Sequence, residues 1–594
     1  RWLGPAMVVL TAACATLPSN YPPPPETRTP EPDGSTTLGR NAAGFARISG
    51  FGVSGFAPID ANGEALRIRL AMIDSAERSL DMLYYVWYDD PSGLLVLEHV
   101  IAAAEHGAGQ GEAVRITLVE SPDVRTLGVG EGTWPTMRDT LRRMGVSESA
   151  FIRDCNVSFK QASRFAGWVT GAEDDFYYHP FTAPAGFGDV NLVSSWMQAG
   201  AGRSFADAVS FQSELCEAGR APKQKSTPEF AAVANYAYHL DAGRFGQFLQ
   251  EHCTGHLGVR HVLAHVEGIR VRENGDIAGL ETPEKGLIEG DLFIDCTGFS
   301  SLLLGRHYGV PLVGIGDTLF CDNAIAAQIP YVSDDQPIAS STLATAQGAG
   351  WIWDIGLPTR RGAGYVYSSS HTSHEQAERD LRAYLRAANP DFEPELRRIP
   401  LNPGHRETFW HRNCVAVGIA AGFIEPLEAS ALALIELSAR MIAEELPPNR
   451  ALMDVVAARF NDRFRYRWGR IVDFLKLHYL LSRRSDTEFW VDNRREESVP
   501  DRLKELLELW RYRPPSRWDF TDSEEIFPAA SYQYVLYGMG FHPEPNAYPR
   551  RGDDPRAATH YLGTVEQLKR KYVAGLPSNR ELVRHVNERG LPRV

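Results

Sequence analysis

The residues best placed for chemistry in this sequence follow short apolar segments that are typical of β-strands. Val114–Glu120 is rich in aliphatic residues and ends in a carboxylate, and the loop after it carries Gly130 and Gly132 within the run Gly-Val-Gly-Glu-Gly. A glutamate that closes the second strand of a dinucleotide-binding fold commonly accepts hydrogen bonds from ribose hydroxyls. Glycines let a backbone approach a ligand closely, although an ordinary loop explains this run equally well by itself.

Two further junctions between a strand and a turn have the same character. Asp291–Phe299 is an apolar strand that leads into Asp295 and a turn containing Gly298. Val415–Gly422 is a strand and loop built from small residues. Such turns allow a backbone to pass close to a cofactor, but each segment taken alone is also a normal connection between a strand and a loop.

A carboxylate and an amine are candidates for acid and base chemistry. Glu428 lies two residues after Pro426 and just before the apolar run Ala431–Leu437, so the pattern predicts that it sits in the first turn of a helix. The helix macrodipole favours an acid there, which is a purely structural explanation, and the same helix N-terminus offers N–H groups to an anion. Lys160 follows Phe159, and a single lysine is far more often exposed than catalytic.

Two indole side chains stand two residues apart in the segment Gly350–Ile355. Because side chains alternate along an extended strand, Trp351 and Trp353 are predicted to point to the same side. From this spacing alone, the simpler explanation is that both are core aromatic residues.

Composition and charge limit the classes of function. The chain has 594 residues, is 43% hydrophobic and carries a formal net charge of -14 that is spread along its length. Nucleic-acid surfaces concentrate Lys and Arg, so small-molecule chemistry is favoured over nucleic-acid binding. The seven cysteines form no Cys-x-x-Cys pair and no spacing with His that indicates a metal site; we expect mostly buried thiols. No apolar run reaches the roughly 18 residues of a membrane span.

The first 110 residues differ from the rest. Ala6–Cys14 resembles the end of a bacterial lipoprotein signal, and the remainder of residues 1–40 is rich in Pro, Thr and Gly, as in a linker. Residues 41–110 include LRIRLAMIDSAERSLDMLYYVWYDD, which resembles phospholipase D-like, cardiolipin-synthase-type lipoproteins. That family uses a His nucleophile with a Lys two residues later. None of the seventeen histidines has this spacing, so we expect no phosphodiesterase activity.

An ordered set of motifs extends from about Glu112 to the C-terminus. In chain order the motifs are Ser158–Lys160, Tyr178–Phe181, Tyr238–Gly243, Asp291–Phe299, Gly350–Ile355, Gly422–Ser430 and Phe489–Trp490. Each motif is weak alone. Together, in this order and at these spacings, they resemble the flavin-dependent tryptophan halogenase family.

The resemblance implies an α/β fold with an FAD-dependent monooxygenase-like, Rossmann-type domain, a mixed β-sheet substrate region and a helical C-terminal part. It places the FAD-binding core at residues 111–440 and a helical substrate-binding region at residues 441–594. FADH2 and O2 would oxidise chloride or bromide to hypohalous acid, which halogenates an indole or another electron-rich aromatic compound. A flavin reductase would supply the reduced flavin, and a homodimer stays open. The alternative is a non-catalytic fusion product that retains the fold with impaired FAD binding.

The resemblance also assigns residues. Lys160 would be the essential lysine that hydrogen-bonds hypohalous acid or forms a haloamine, and Glu428 would stabilise the arenium intermediate and accept its proton. The N–H groups of Ser430 and Ala431 would bind the halide, where the family often has Thr-Gly. The other assignments are Glu120, Gly130, Gly132, Asp295, Gly298, Ile419 and Leu432 to the cofactor, with the last two against the flavin ring; His179, Pro180, Phe181, Tyr479, Phe489 and Trp490 to the substrate; and Trp351 and Trp353 to the passage between flavin and substrate.

One departure from the family concerns the substrate. Members that take free tryptophan have two adjacent tyrosines, followed by a glutamate four residues before the Phe-Trp pair. This chain has His478 and Tyr479, and Ser485 replaces the glutamate. Without that carboxylate, desolvating an ammonium group is not compensated, so we predict an aromatic substrate that lacks the zwitterion, or a larger substrate.

A second departure concerns the first phosphate-binding loop. Leu80–Tyr88 is predicted as a strand and Leu94–His106 as a helix, which with Val114–Glu120 would make a β-α-β unit. Its turn, Tyr88–Gly93, contains two acids where a Gly-x-Gly-x-x-Gly loop would bind pyrophosphate, which predicts weakened FAD affinity. The supply of FADH2 favours the cytoplasm, whereas Cys14 leaves export as a lipoprotein open.

Overall fold

The computed structural model describes residues 114–124, 130–199, 202–522, 525–544 and 554–593. The chain divides into two compact units, Arg1–Arg115 and Ile116–Val594, and nearly all of the described residues belong to the second. The predictions made for the first 110 residues, including the signal-like run, the linker and the acidic turn, lie outside the described residues.

The described strands, numbered along the chain, are short except around one large sheet. They are β1 Thr117–Glu120, β2 Glu131–Gly132, β3 Ser158–Lys160, β4 Ala162–Ala166, β5 Phe176–Pro180, β6 Ala237–Leu240, β7 Arg260–Leu263, β8 Gly268–Val271, β9 Ile277–Thr282, β10 Gly286–Glu289, β11 Phe293–Asp295, β12 Leu312–Gly314, β13 Asn323–Pro330, β14 Thr342–Gln347, β15 Gly350–Gly356, β16 Arg360–Tyr367, β17 Arg397–Pro400, β18 Gly404–Arg406, β19 Trp410–His411, β20 Cys414–Ala416 and β21 Gly422–Phe423.

The described α-helices are concentrated in the C-terminal third. They are α1 Met137–Arg143, α2 Glu148–Asp154, α3 Leu192–Ala199, α4 Phe205–Val209, α5 Gln212–Glu217, α6 Ala242–Gly255, α7 His374–Ala388, α8 Ser430–Glu444, α9 Arg450–Leu480, α10 Glu488–Asp492, α11 Asp501–Trp510, α12 Ala529–Gly538, α13 Pro555–Gly575 and α14 Asn579–Arg589. Among the described residues, no helix is both long enough and apolar enough to cross a membrane.

A seven-stranded mixed sheet supports the centre of the molecule. Its strand order is β17-β13-β16-β15-β14-β4-β5, with β14 and β4 parallel and the other neighbours antiparallel. Every residue of β15 is buried, as expected for a continuous apolar run. One face packs against the apolar stripe of α7, formed by Ala377, Leu381 and Leu385. Trp351 and Trp353 project from β15 into the main core on the other face.

The Rossmann-type part is represented by parallel strand pairs. Strand β1 pairs in parallel with β7, and β11 pairs in parallel with β20. Both pairs end in residues selected from the sequence, since Glu120 closes β1 and Asp295 closes β11. Leu118 and Ile294 are about half exposed on these strands. The α/β class, the mixed sheet and the helical C-terminal part expected from the sequence are confirmed.

Helix α9 is the longest described helix and carries site residues near its C-terminal end. The side chain of Asn449 accepts a hydrogen bond from the backbone N–H of Leu452 and caps the helix. The amphipathic pattern marks this helix only from Phe460 onward. In the first ten residues of α9, two are buried, Met453 and Ala457, so the apolar periodicity that predicts a helix is weak there.

The packing of β16 against β15 generates a stability prediction. A Cβ on Gly364 would overlap the ring of Trp353 and would come within 2.5 Å of the carbonyl oxygen of Ile325. We expect Gly364→Ala to lower the free energy of unfolding by about 1–3 kcal/mol, the usual cost of overpacking a core. Denaturant unfolding measures the change. Gly348→Ala is the control, since its Cβ would make an ordinary contact 3.6 Å from Thr487; equal losses in the two variants would contradict the prediction.

Candidate active site

Lys160 ends β3 and its side chain is only 1% exposed. The ammonium nitrogen lies 5.4 Å from the centre of the Phe181 ring, within range of a cation–π interaction. A Cβ on Gly132 would lie 3.2 Å from Lys160 Nζ and 3.4 Å from Ala429 Cβ. Gly132 therefore permits a close approach of the lysine to the turn at Ala429, and any larger residue would move the lysine.

Burial dominates the ionisation of Lys160. It lowers the pKa of the ammonium to about 8, although the nearby Glu428 carboxylate acts in the opposite direction. Near neutral pH such a lysine exists in both protonation states. It has the properties of a hydrogen-bond donor and, when neutral, of a nucleophile.

Glu428 does not lie in the first turn of a helix, so that prediction was wrong. Ala429 adopts a left-handed conformation with φ of 55° and ψ of 41°, and α8 begins only at Ser430. The first turn of α8 contains no acidic residue. The turn at Ala429 directs the Glu428 side chain away from the helix and into the interior, where it is 3% exposed. The helix macrodipole therefore does not explain this carboxylate.

Two side chains from strands bind the Glu428 carboxylate, and a third side chain, from a helix, faces it. His179 Nδ1 on β5 lies 2.8 Å from Oε1, and Ser163 Oγ on β4 donates to Oε2 at 3.2 Å. His478 Nε2 on α9 lies 3.3 Å from Oε1. Trp134 Nε1 donates to the backbone carbonyl of Glu428 at 2.7 Å. Burial opposes ionisation, but the two histidines outweigh it and hold the pKa of Glu428 below its ordinary value.

An aromatic wall lies beside this cluster and is centred on Trp168. The Trp168 ring centre lies 5.2 Å from that of Tyr479, 5.5 Å from that of Trp490 and 6.5 Å from that of Trp351. Its indole N–H donates to the carbonyl of Ala344. The sequence analysis did not select Trp168, although it stands only eight residues after Lys160. A single buried aromatic residue carries no spacing signal that would have distinguished it.

The two indoles of β15 lie on one side of the strand, as predicted, with ring centres 6.4 Å apart. Glu425 is a second buried acid that the sequence analysis missed. Its carboxylate accepts hydrogen bonds from Trp351 Nε1 at 3.1 Å and from the Tyr479 hydroxyl at 2.9 Å. Burial raises the pKa of Glu425, which these hydrogen bonds only partly counteract. Glu425 thus holds two candidates selected from the sequence, Trp351 for the passage between flavin and substrate and Tyr479 for the substrate.

The remaining substrate candidates are brought to the same region. Pro180 ends β5 next to His179, and Phe181 follows it, with its N–H bonded to the carbonyl of Gln161. Phe489 and Trp490 lie on α10, fully enclosed, and Trp490 Nε1 donates to the carbonyl of Gln347. All six substrate candidates are therefore close to the aromatic wall or to the carboxylate cluster.

The cofactor candidates fall into two groups. Glu120 is half exposed at the end of β1 and accepts a hydrogen bond from His261 Nε2 at 2.8 Å, a partner that the sequence analysis missed. The Asp295 carboxylate is buried and accepts from the N–H groups of Thr297, Leu303 and Leu304. Asp295 therefore shapes its own turn, and its carboxylate oxygens are not directed outward.

Three of the cofactor candidates, Gly298, Ile419 and Leu432, leave room for a flavin, whereas Gly130 does not. Gly298 has a φ of +64° and open space where a side chain would lie, so its backbone is accessible to a planar ligand. Ile419 and Leu432 are each half-buried, while Gly130 packs against Ile355 and does not face open space.

The N-terminus of α8 fits an anion. The first N–H groups of a helix have no partner within the helix, and Ser430 and Ala431 supply these groups here. Ser430 Oγ is buried without a hydrogen-bond partner, whereas Ala431 is exposed. Both observations fit a small anion at this position.

Parallel strand pairs, a large mixed sheet and a helical C-terminal part agree with the FAD-dependent monooxygenase-like fold that the sequence resemblance implies. The buried lysine of lowered pKa, the buried carboxylate and the paired indoles are the residues that the same resemblance assigns to a halogenating protein.

Comparison with known proteins agrees. The chain belongs to the tryptophan halogenase family, whose sequence model matches residues 99–551, and it is a flavin-dependent halogenase. A tryptophan halogenase from Shewanella frigidimarina NCIMB 400 is 48% identical, with a TM-score of 0.78 over 81% of this chain and 92% of that one. BrvH, a flavin-dependent halogenase from Brevundimonas sp. BAL3, is 32% identical, with a TM-score of 0.70 over 80% of this chain and 94% of that one. Cardiolipin synthase C of Escherichia coli K12 matches at 28% identity over 119 residues, 20% of this chain and 22% of that protein.

The lowered pKa of Lys160 predicts how the free energy of unfolding depends on pH. The unfolded chain holds this proton up to the ordinary lysine pKa of 10.5, whereas the folded protein releases it near pH 8. Between these values the folded state binds fewer protons, so the contribution of Lys160 to stability rises with pH. Lys160→Met removes a buried charge, and we expect it to stabilise the protein at pH 7 by roughly 2–3 kcal/mol.

Unfolding measured from pH 7 to 10.5 tests this expectation. The stability gained by Lys160→Met should shrink steadily above pH 8. Lys285→Met, on the exposed surface, is the control and should change stability little throughout. A gain that is constant over the whole range would show that the substitution acts through packing and not through the charge.

Proposed function

We propose that this protein halogenates indole or another electron-rich aromatic compound that lacks the ammonium and carboxylate groups of free tryptophan. The observation that carries this proposal is that Lys160 and Glu428 are both buried and interact electrostatically, and that His478 faces Glu428 and contacts Trp168 of the aromatic wall. A buried amine and a buried carboxylate beside apolar rings suit the transfer of an electrophilic halogen to an aromatic carbon.

The cofactor chemistry follows from the family. Bound FADH2 with O2 supplies the oxidation of chloride or bromide to hypohalous acid. Glu120, Gly298, Ile419 and Leu432 would hold the flavin, with Asp295 shaping the turn at Gly298. Gly130 and Gly132 do not fit this role, because Gly130 packs against Ile355 and Gly132 against Lys160 and Ala429. The N–H groups of Ser430 and Ala431 would hold the halide at the start of α8.

Lys160 and Glu428 have complementary tasks in the transfer. Lys160 Nζ donates a hydrogen bond to hypohalous acid, or binds the halogen as a haloamine, and so directs it to one carbon. From hypohalous acid, the aromatic carbon takes the halogen and hydroxide departs. From the haloamine, whose formation has already released water, the carbon takes the halogen and the N–halogen electron pair returns to the Lys160 nitrogen. Glu428 then accepts the proton from that carbon, and the C–H electron pair restores the aromatic ring. The proton finally combines with hydroxide to form water, or with the Lys160 nitrogen to restore the amine.

Trp351 and Trp353 would separate the oxidation from the substrate. Two indoles on one face of β15, with Trp351 held by Glu425, form a rigid barrier of aromatic rings. Such a barrier keeps the aromatic substrate from direct contact with the flavin, so that only the small oxidised halogen passes.

The proposed substrate class is supported by the residues near α10. Ser485 is exposed and carries no charge where tryptophan-binding members have a glutamate. Arg484 is buried instead, with its guanidinium 4.6 Å from the Trp490 ring centre and paired with Asp486. Because Asp486 neutralises Arg484, this segment offers no unpaired carboxylate to an ammonium group, which a neutral indole does not need.

We further propose that a separate flavin reductase supplies FADH2 and that the reaction takes place in the cytoplasm, where FADH2 is made. We also propose the domain division 1–40, 41–110, 111–440 and 441–594, with residues 41–110 as a phospholipase D-like fragment. The match to cardiolipin synthase C and the missing His-x-Lys spacing support a fragment of that family without its chemistry.

The substrate proposal is tested by supplying FADH2 through a reductase and comparing indole with free tryptophan, each with chloride and with bromide. We expect kcat/KM for indole to exceed that for tryptophan by at least tenfold. Lys160→Met is the control that should abolish product from both compounds while leaving the fold intact. A clear preference for tryptophan would contradict the proposed substrate class, and product formed by Lys160→Met would contradict the role of the lysine.

A further inference from the structure

His478 lies in the candidate substrate region, and the family resemblance assigns no role to it. It lies near the end of α9 and is fully buried. Its ring is enclosed by aromatic neighbours, with centre distances of 4.8 Å to Phe165, 5.3 Å to Phe474 and 6.1 Å to Trp168. Such an apolar enclosure fixes the orientation of an imidazole and makes an unsatisfied nitrogen costly.

The hydrogen bond of one ring nitrogen determines the role of the other. His478 Nδ1 lies 2.9 Å from the carbonyl oxygen of Phe474, which only accepts hydrogen bonds, so Nδ1 carries a proton. In the neutral ring Nε2 is then a bare acceptor. It lies 3.3 Å from Glu428 Oε1, and without a further proton it has no hydrogen-bond partner.

Two lone pairs at this distance repel one another, so one proton belongs between Nε2 and Oε1. It resides either on His478, as an imidazolium facing a carboxylate, or on Glu428 as a carboxylic acid. His179 Nδ1 donates to the same oxygen at 2.8 Å and Ser163 Oγ donates to the other oxygen, and both favour the ionised carboxylate. The arrangement therefore places the proton on His478.

We propose that His478 is a positioning residue of the halogenation site, which with His179 holds the Glu428 carboxylate ionised and directed at the substrate. The inference rests on the proposed function for its catalytic consequence. Glu428 must be unprotonated to accept a proton from the halogenated ring, and a carboxyl buried among aromatic rings would otherwise be neutral. His478 acts only through Glu428.

The other ionisable groups around Glu428 are consistent with this role. Lys160 approaches from β3 and His179 from β5, and both favour a negative charge. Tyr177, also on β5, is buried with an unpartnered hydroxyl and its pKa is raised well above the ordinary value, mainly by burial, so it remains neutral. His478 is the residue that adds a donor from the helical side.

The first test is spectroscopic and needs no turnover. Infrared difference spectra between the protein and Glu428→Gln isolate the Glu428 band. In the parent protein we expect an ionised carboxylate at pH 7. In His478→Phe, compared with His478→Phe/Glu428→Gln, we expect the band of a protonated acid. An ionised Glu428 in His478→Phe would overturn the proposal.

The second test is kinetic. Indole deuterated at its reactive carbon should show little isotope effect with the parent protein, because proton removal is fast. In His478→Phe we expect kcat to fall at least tenfold with KM little changed, a primary isotope effect to appear, and activity to rise with pH. His405→Phe is the matched control, since His405 Nδ1 also bonds to a backbone carbonyl beside aromatic rings but faces no carboxylate.

A second variant separates these effects from misfolding. His478→Gln keeps an N–H donor for Glu428, so it should retain the ionised band and most of the activity, with no isotope effect. A protonated Glu428 in a folded His478→Gln would contradict the inference. If the parent protein halogenates no indole while His478→Phe still shifts the infrared band, the proposed substrate fails and the positioning role stands. If indole is halogenated and His478→Phe shows neither the shift nor the isotope effect, only the positioning role fails.

Discussion

The site depends on keeping charged groups inside an apolar region. Lys160 and Glu428 are almost fully enclosed, and an isolated charge in such surroundings is strongly destabilised unless other groups bind it. Glu428 meets this requirement through His179, Ser163 and the facing His478. The charge of Lys160 is compensated only in part, by the nearby Glu428, so burial lowers the pKa of the lysine. In contrast, the histidines keep the glutamate ionised in spite of burial.

The large sheet and α9 together hold this arrangement. Strands β4 and β5 supply Ser163 and His179, β15 supplies the paired indoles, and α9 adds His478 and Tyr479 from the opposite side. Glu425 links the strand and the helix, because it binds both Trp351 and Tyr479. The aromatic wall and the carboxylate cluster are thus parts of one hydrogen-bonded interior, and a shift of α9 would disturb both.

The half of the site that would hold the flavin is built on a different principle. Its residues lie where parallel strands end and where α8 begins, so backbone N–H groups and small residues are available instead of buried side-chain charges. Glu120 remains half exposed there, in contact with His261. This part of the protein is accordingly more accessible than the enclosed region around Lys160 and Glu428.

The sequence by itself determined the α/β class, the family and the common direction of Trp351 and Trp353, because these follow from motif order and from the two-residue period of a strand. It did not determine that Glu428 lies outside α8, since the left-handed turn at Ala429 belongs to a residue that rarely adopts it. Only the tertiary structure placed His478 against Glu428, Trp168 within the aromatic wall and Glu425 between two site residues. Each of these contacts joins residues that are distant in the chain, and no local pattern encodes which buried polar groups will face one another once the sheet and α9 pack.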